Sequence, residues 1–444
     1  MNEIEKVTDF IKEILQKESG FLEFWIEIEE GQEIEKRDGK IFLKEKYQDT
    51  SLVVRYLNEK GNIGLSYTTL LNFEEILNTY LKAKALSKNG VPGIFPQGDF
   101  KYPEITLQKF EPISSEEIVS ILNKVENKAL SFDKNIKRIE KNKISCGKIK
   151  YLLLRKDLEL SWENPFYSFI ISVVAEGKNK SASAYEWQEV TDWNKFKPLE
   201  RTELACEKAL ILSKTKKGRN LKISVLIPPF IAVEFLELLE FSFSGEEVIK
   251  GRSYLKDKIG KKIFSEKLSL HDNGLFLGLP ETRPFDDEGV PQNKKILVDK
   301  GEVCCFMYDT YWAEVAKKQG YDNVISGNAR RGGLASFPKI SSTNLYITPG
   351  TYTKEELLKL QPEIFEIYEI LGAHTSNPIS GDFSLGVSGV YYKNGEPVDY
   401  FCEIALAGNL FELFKRIVEI GKDLEFYGSV GSPSLLIEKL DLGG

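Results

Sequence analysis

Residues 380–397, SGDFSLGVSGVYYKNGEP, alternate in side-chain character residue by residue and then meet Asn394-Gly395. Period-two patterning puts successive side chains on opposite faces of a strand, and Asn-Gly supplies the positive φ values of a two-residue hairpin turn. This stretch is thereby committed to an antiparallel sheet. Beyond Gly245 the same character recurs in ISGNARRGGLASF and NLYITPG, where glycines punctuate short extended runs.

The first half reads differently. MNEIEKVTDFIKEILQKESG spaces Ile4, Val7, Phe10, Ile11 and Ile14 as an amphipathic helix among acids and lysines, unlike a basic leader followed by an apolar stretch. FLEFWIEIEE and GKIFLKEKY are expected strands, separated by a charged turn around Gly31 to Gly39, and SLVVRYLNEKGNIGLSYTT is a hairpin turning at Asn58 to Gly61. A helix follows Asn72, VPGIFPQGDFKYPEI is a surface excursion, and another helix starts at Ser114 or Ser115. KISCGKIKYLLLR is a strand, the segment from Asp157 onward is a long hairpin turning near Gly177, and a helix runs from about Pro198 to Leu212.

A chain of 444 residues exceeds the size at which one core stops growing. The expected fold class is α+β, with an N-terminal α/β-layered domain over 1–213 and a strand-rich, mainly antiparallel C-terminal domain over 220–444, joined at the basic KTKKGRN. The second domain opens with the strand LKISVLIPP and a helix holding Pro228 and Pro229 in its first turn. Near its end, GNLFELFKRIVEIGKDL is an expected helix capped by Asn409 and stopped near Gly421, followed by a closing strand in SPSLLIEKL.

Composition removes several function classes. A net charge of −7, with lysines interleaved among glutamates, argues against direct nucleic-acid binding. No apolar run is long enough to span a bilayer, and the expected location is the cytoplasm. The five cysteines include no C-x-x-C, so they suggest neither a disulfide frame nor a zinc ribbon. The two histidines, His271 and His374, lie far apart in sequence, which excludes a local H-E-x-x-H metal site.

Four motifs remain as carriers of chemistry. Glu234, Glu237 and Glu240 recur every third residue along AVEFLELLEF, as paired carboxylates or as the solvated edge of a core helix. Asp286, Asp287 and Glu288 in RPFDDEGV offer hard oxygen donors, or else a tight charged turn in which Arg283 neutralises one carboxylate. Arg330 and Arg331 in GNARRGG could grip a phosphate or a peptide carboxylate, or could be structural. His374, in GAHTSNPISGDFS, is the better placed of the two histidines for a functional role, against a plain hydrogen-bonded one.

The blocks SGEEVIKGRSYLKDKIGKKI, LSLHDNG, PFDDEGVP, SGNARR, NLYITPG, SGDFSLGVSGVYYKNGEPV and IALAGNLFELFKRIVEIGKDL, in this order, resemble the TldD/PmbA family, once labelled modulators of DNA gyrase. The likeness is greater to its PmbA (TldE) branch. In the TldD branch the resemblance implies a zinc peptidase with H-E-x-x-x-H shortly before the GRSYLKDKIG block. Those positions here read Leu236, Glu237 and, last, Phe241, and the late cysteine ligand of TldD has no counterpart in GKDLEFYGSVGSPSL. The resemblance therefore implies a non-catalytic subunit with no cofactor of its own and zinc in a TldD-like homologous subunit. Unfolded peptide is the implied substrate, and homodimerisation the expectation for the isolated chain. Asp286, Asp287, Glu288, Arg330, Arg331 and His374 are its candidate peptide- or partner-binding residues. The alternatives are an independent metal-dependent hydrolase built on carboxylates and a protein-binding modulator of DNA gyrase.

Overall fold

A computed structural model describes residues 3–444 except Leu107 and Asn179, and except the side chains of Glu3 and His374. The first half is built on β1 (Phe21–Arg37), β2 (Lys40–Leu57), β3 (Asn62–Thr68), β4 (Val91–Pro92), β5 (Ile136–Arg155), β6 (Leu158–Glu176) and β7 (Ser181–Val190). They form one antiparallel sheet in the order β4-β3-β2-β1-β5-β6-β7.

The turn expected around Gly31 to Gly39 is confined to the far end of that range: β1 runs straight through Gly31 and reverses only at Asp38-Gly39, both at positive φ. The reason is a close approach: Gly31 lies opposite Tyr47 on β2 and Gly147 on β5, and a Cβ at Gly31 would sit 2.6 Å from the Tyr47 ring. The glycine makes room for an aromatic ring inside a strand.

Helices α1 (Glu3–Lys17) and α2 (Phe73–Leu86) cover part of this sheet. Val7, Ile11 and Leu15 of α1 meet Phe24, Ile26, Leu52 and Val54 in one core with Ile76 and Tyr80 of α2. Asn72 caps α2 as expected, its side chain accepting from the Glu75 N–H at 2.9 Å. A second core gathers Ile118, Leu122 and Val125 of α3 (Ser115–Phe132) and Ala205, Ala209 and Leu212 of α4 (Pro198–Lys214) over Ile144, Phe169 and Ile171.

The second half contains a closed ring of strands. Leu221–Ile227, Glu363–Leu371, Asp382–Lys393, Glu396–Asn409 and Leu435–Gly443 pair in succession, and the ring shuts where Ala405 and Leu406 meet Gly443 and Leu442. The hairpin at Asn394-Gly395 stands as expected, both residues at positive φ. Antiparallel pairing predominates, but the sheets are mixed: Ile364–Glu366 runs parallel to Ser224–Leu226, and Leu345 and Tyr346 run parallel to Val430 and Gly431. The expected helix after Asn409 is a single short one, Leu410–Lys415. Ile417–Ile420 leaves the helix and pairs with Leu435–Ile437, since its β-branched side chains suit a sheet edge better than another helical turn. No helix among the described residues is long and apolar enough to cross a membrane.

Candidate functional site

Helix α5 (Pro229–Glu240) starts where the strand Leu221–Ile227 ends, with Pro228 as cap and Pro229 in its first turn. Its inner face packs Ile231, Phe235, Leu236 and Leu239 into the largest core of the molecule. Leu236 is completely buried, and Phe241 is half-buried in the short turn that follows. Glu237 lies on the exposed side. Burial raises Glu234 to about 7, Glu237 adding to the shift and Lys208 opposing it. Glu240 turns inward and accepts from the Ser342 N–H at 2.6 Å and the Ser341 hydroxyl at 3.3 Å.

The motif positions do not fit a zinc ion. Leucine and phenylalanine carry no lone pair, and Glu237 alone cannot complete a coordination sphere. His271 contacts the Thr348 hydroxyl at 2.8 Å, and the His374 side chain lies outside the described residues. Among the described residues no three histidine, cysteine or acidic side chains converge as a metal site.

The acidic run and the double arginine come together in a buried network. Residues 286–290 form a tight turn, with Gly289 at φ 73° and Phe285 bridged to Pro291. Asp286 curls back to accept from the N–H groups of Glu288 and Val290 at 2.9 Å and of Ala329 at 3.0 Å. Asp287 pairs with Arg283 at 2.7 Å and accepts from the Arg331 N–H at 2.5 Å. Glu288 pairs with Arg55 of β2 at 3.1 Å and accepts from the Thr310 N–H at 3.0 Å. The three carboxylates therefore point to different donors instead of a shared cation. Arg330 pairs with Glu281, whose carboxyl is raised to about 7, chiefly by burial and despite Arg283.

The centre of the network is a residue that motif reading overlooks, Glu23 of β1. It is fully buried and receives Arg55 at 2.7 Å, Arg155 at 2.5 Å and Arg331 at 3.0 Å. Burial alone would raise its pKa, but the guanidinium groups of Arg55, Arg155 and Arg331 outweigh that and hold it at about 2. Phe95 lies beneath two of these cations, 5.0 Å from Arg55 and 5.3 Å from Arg155. Around the charges, Trp25, Val53, Leu153 and Trp162 of the first sheet pack against Phe285 of the second half. The Trp162 indole donates to the Thr282 carbonyl at 3.2 Å.

Two concavities flank these elements. The larger, about 580 Å³, lies between the end of α1, the start of β1 and the 95–102 segment, lined by Phe21, Phe95, Phe100, Tyr102 and Arg155. The smaller, about 150 Å³, sits at the N-terminal end of α5 between Glu186, Lys208, Phe230, Glu366, Tyr368 and Tyr427.

Residues 220–444 match the PmbA/TldA metallopeptidase C-terminal domain, and 108–212 match its central domain. The chain belongs to the PmbA/TldD family. Metalloprotease PmbA of Escherichia coli O157:H7 is 23% identical over 402 residues, 88% of this chain and 85% of that one. An uncharacterized protein of Methanocaldococcus jannaschii is 30% identical over 292 residues, and a metalloprotease of Archaeoglobus fulgidus 31% over 209. These matches span 65% of this chain and of the first relative, and 46% of this chain and of the second. Among solved structures, a candidate DNA gyrase modulator of Thermotoga maritima superposes with a TM-score of 0.88 at 24% identity, covering 99% of this chain and 100% of that one. TldE from Thermococcus kodakarensis gives 0.82 at 20%, covering 100% of both chains. The PmbA/TldD fold thus extends over the whole chain.

Proposed function

We propose that this PmbA/TldD chain is the non-catalytic subunit of a zinc metallopeptidase that acts on unfolded peptides, with the zinc held by a TldD-like homologous subunit. The observation that carries this reading is the fully buried Leu236 at the position of the first metal ligand, with Phe241 at the second. A core leucine cannot be turned toward a metal by a local rotation, because α5 packs its whole inner face into the barrel core.

In this reading the chain contributes shape. The large concavity beside β1 offers Phe21, Phe100 and Tyr102 to the side chains of an extended peptide, whose identity such a surface reads loosely. Asp286, Asp287 and Arg330 hold the segment around 281–290 in shape, and through it Glu288 and Arg331 fix the second half against β1, β2 and β5. The test is reconstitution. Cleavage of an unfolded reporter peptide should appear when this chain is mixed with a TldD-type subunit retaining H-E-x-x-x-H, and exceed that of the subunit alone. A mixture no faster than that subunit would refute the proposal.

A further inference from the structure

The cavity of about 150 Å³ at the start of α5 lies where α4 and β7 of the first half meet the second, and charged and aromatic side chains dominate its walls. The cations around it are already seated. Lys208 of α4 pairs with the buried Glu186 of β7 and lies 3.1 Å from the centre of the Phe230 ring. Arg201 pairs with Glu186 at 3.4 Å and with Glu425 at 2.8 Å, and lies 5.1 Å from the Tyr427 ring. Lys354 pairs with Glu366 at 2.5 Å and lies 5.4 Å from the Tyr368 ring. Each cation thus has a carboxylate on one side and an aromatic face on another, the surroundings that favour an organic cation drawn out of water.

The carboxylates outnumber these cations. Glu186, Glu207, Glu366, Asp423 and Glu425 line the cavity, two more acids than Arg201, Lys208 and Lys354 can neutralise. Glu366 is the group left unfinished. It is fully buried, Lys354 takes its Oε1, and no well-aligned hydrogen bond reaches Oε2 among the described residues. Burial raises its pKa in spite of Lys354 and of the Tyr392 and Tyr368 hydroxyls beside it. Glu207 acts on the same Lys354 and Tyr368, is exposed, and has no ion-pair partner among the described residues. A water molecule would satisfy Oε2 but would leave the excess of negative charge in place. A cavity of this volume holds a ligand of about six heavy atoms.

We propose that this cavity binds a short aliphatic diamine, one ammonium group at Glu366 and Glu207 and the other toward Glu425. This assignment does not depend on any peptidase role.

In calorimetric titration of the purified full chain, 1,4-diaminobutane should bind saturably, at a single site per chain. Butylamine, with one charge fewer, should bind about tenfold more weakly or worse. Butanediol and succinate, of similar length but neutral and anionic, should give no saturable heat. Glu366→Gln should abolish diamine binding. Glu207→Gln and Glu425→Gln, which change carboxylates that are not fully buried, should each raise the dissociation constant about tenfold, and they decide the matter where Glu366→Gln disturbs folding. Glu59→Gln, in the remote exposed turn between β2 and β3, should leave binding unchanged. No saturable binding of the diamine, equal binding of butanediol, or indifference to both Glu207→Gln and Glu425→Gln would overturn the proposal.

Discussion

At the scale of single residues, Glu23 matters most. Removing a carboxylate that faces Arg55, which is buried, and Arg155 and Arg331, which are nearly so, leaves three clustered cations short of their shared counter-ion. Glu23→Ala is therefore expected to cost about 3–5 kcal/mol in denaturant unfolding. Two acids should respond to pH in opposite senses. Glu23, held at about 2 in the fold, contributes stability that is present above the ordinary carboxylate range and fades as pH falls toward that value. Glu281, raised to about 7, does the reverse: its contribution is complete below the unfolded carboxylate pKa and is lost as pH rises through about 7. Glu281→Gln should flatten the decline in unfolding midpoint between about pH 5 and 8, read from denaturant titrations at each pH. The tight turn at Asp286–Glu288 and its neutralisation by Arg283 were legible in the sequence, because all the groups fall within a few positions. Glu23, Arg55 and Arg155 were not, since their partners lie far along the chain. One signal was available: Glu23 interrupts FLEFW and Arg55 interrupts VVRYL, charges set inside apolar strands.

At the scale of elements, the sequence was most readable where local chemistry decides, as at the Asn72 cap, the Asn394-Gly395 hairpin and the proline start of α5. It misled where a distant neighbour decides. Gly31 reads as a turn until the Tyr47 ring is placed beside it, and Ile417–Ile420 reads as helix until Leu435–Ile437 offers a strand to pair with. Glycine at 64 is a further close approach, and a testable one. A Cβ there would lie 2.1 Å from the Ala83 carbonyl oxygen, so α2 rests directly on β3. Gly64→Ala should force the helix off the sheet and lower stability by about 1–3 kcal/mol. For α5, Leu236→Ala should cost about 2–5 kcal/mol, the range of a leucine lost from a core, measured by chemical denaturation. A loss below about 0.5 kcal/mol would mean that Leu236 faces solvent and that this face of α5 is free for other work.

At the scale of the molecule, the first sheet and the second half are joined through charges and rings together. Glu23, Arg55 and Arg155 on β1, β2 and β5 clasp Glu288 and Arg331, while Trp25 and Trp162 pack on Phe285. A joint of this kind fixes the orientation of α5 relative to the concavity beside β1, which a subunit that holds substrate for another's metal requires. Zinc content measured on the purified chain after incubation with excess zinc and dialysis, alongside peptide cleavage by the same sample, tests that account most directly. No stoichiometric zinc, and no cleavage without a TldD-type subunit, are the expected results. One zinc retained per chain, with chelator-sensitive cleavage by the chain alone, would contradict it.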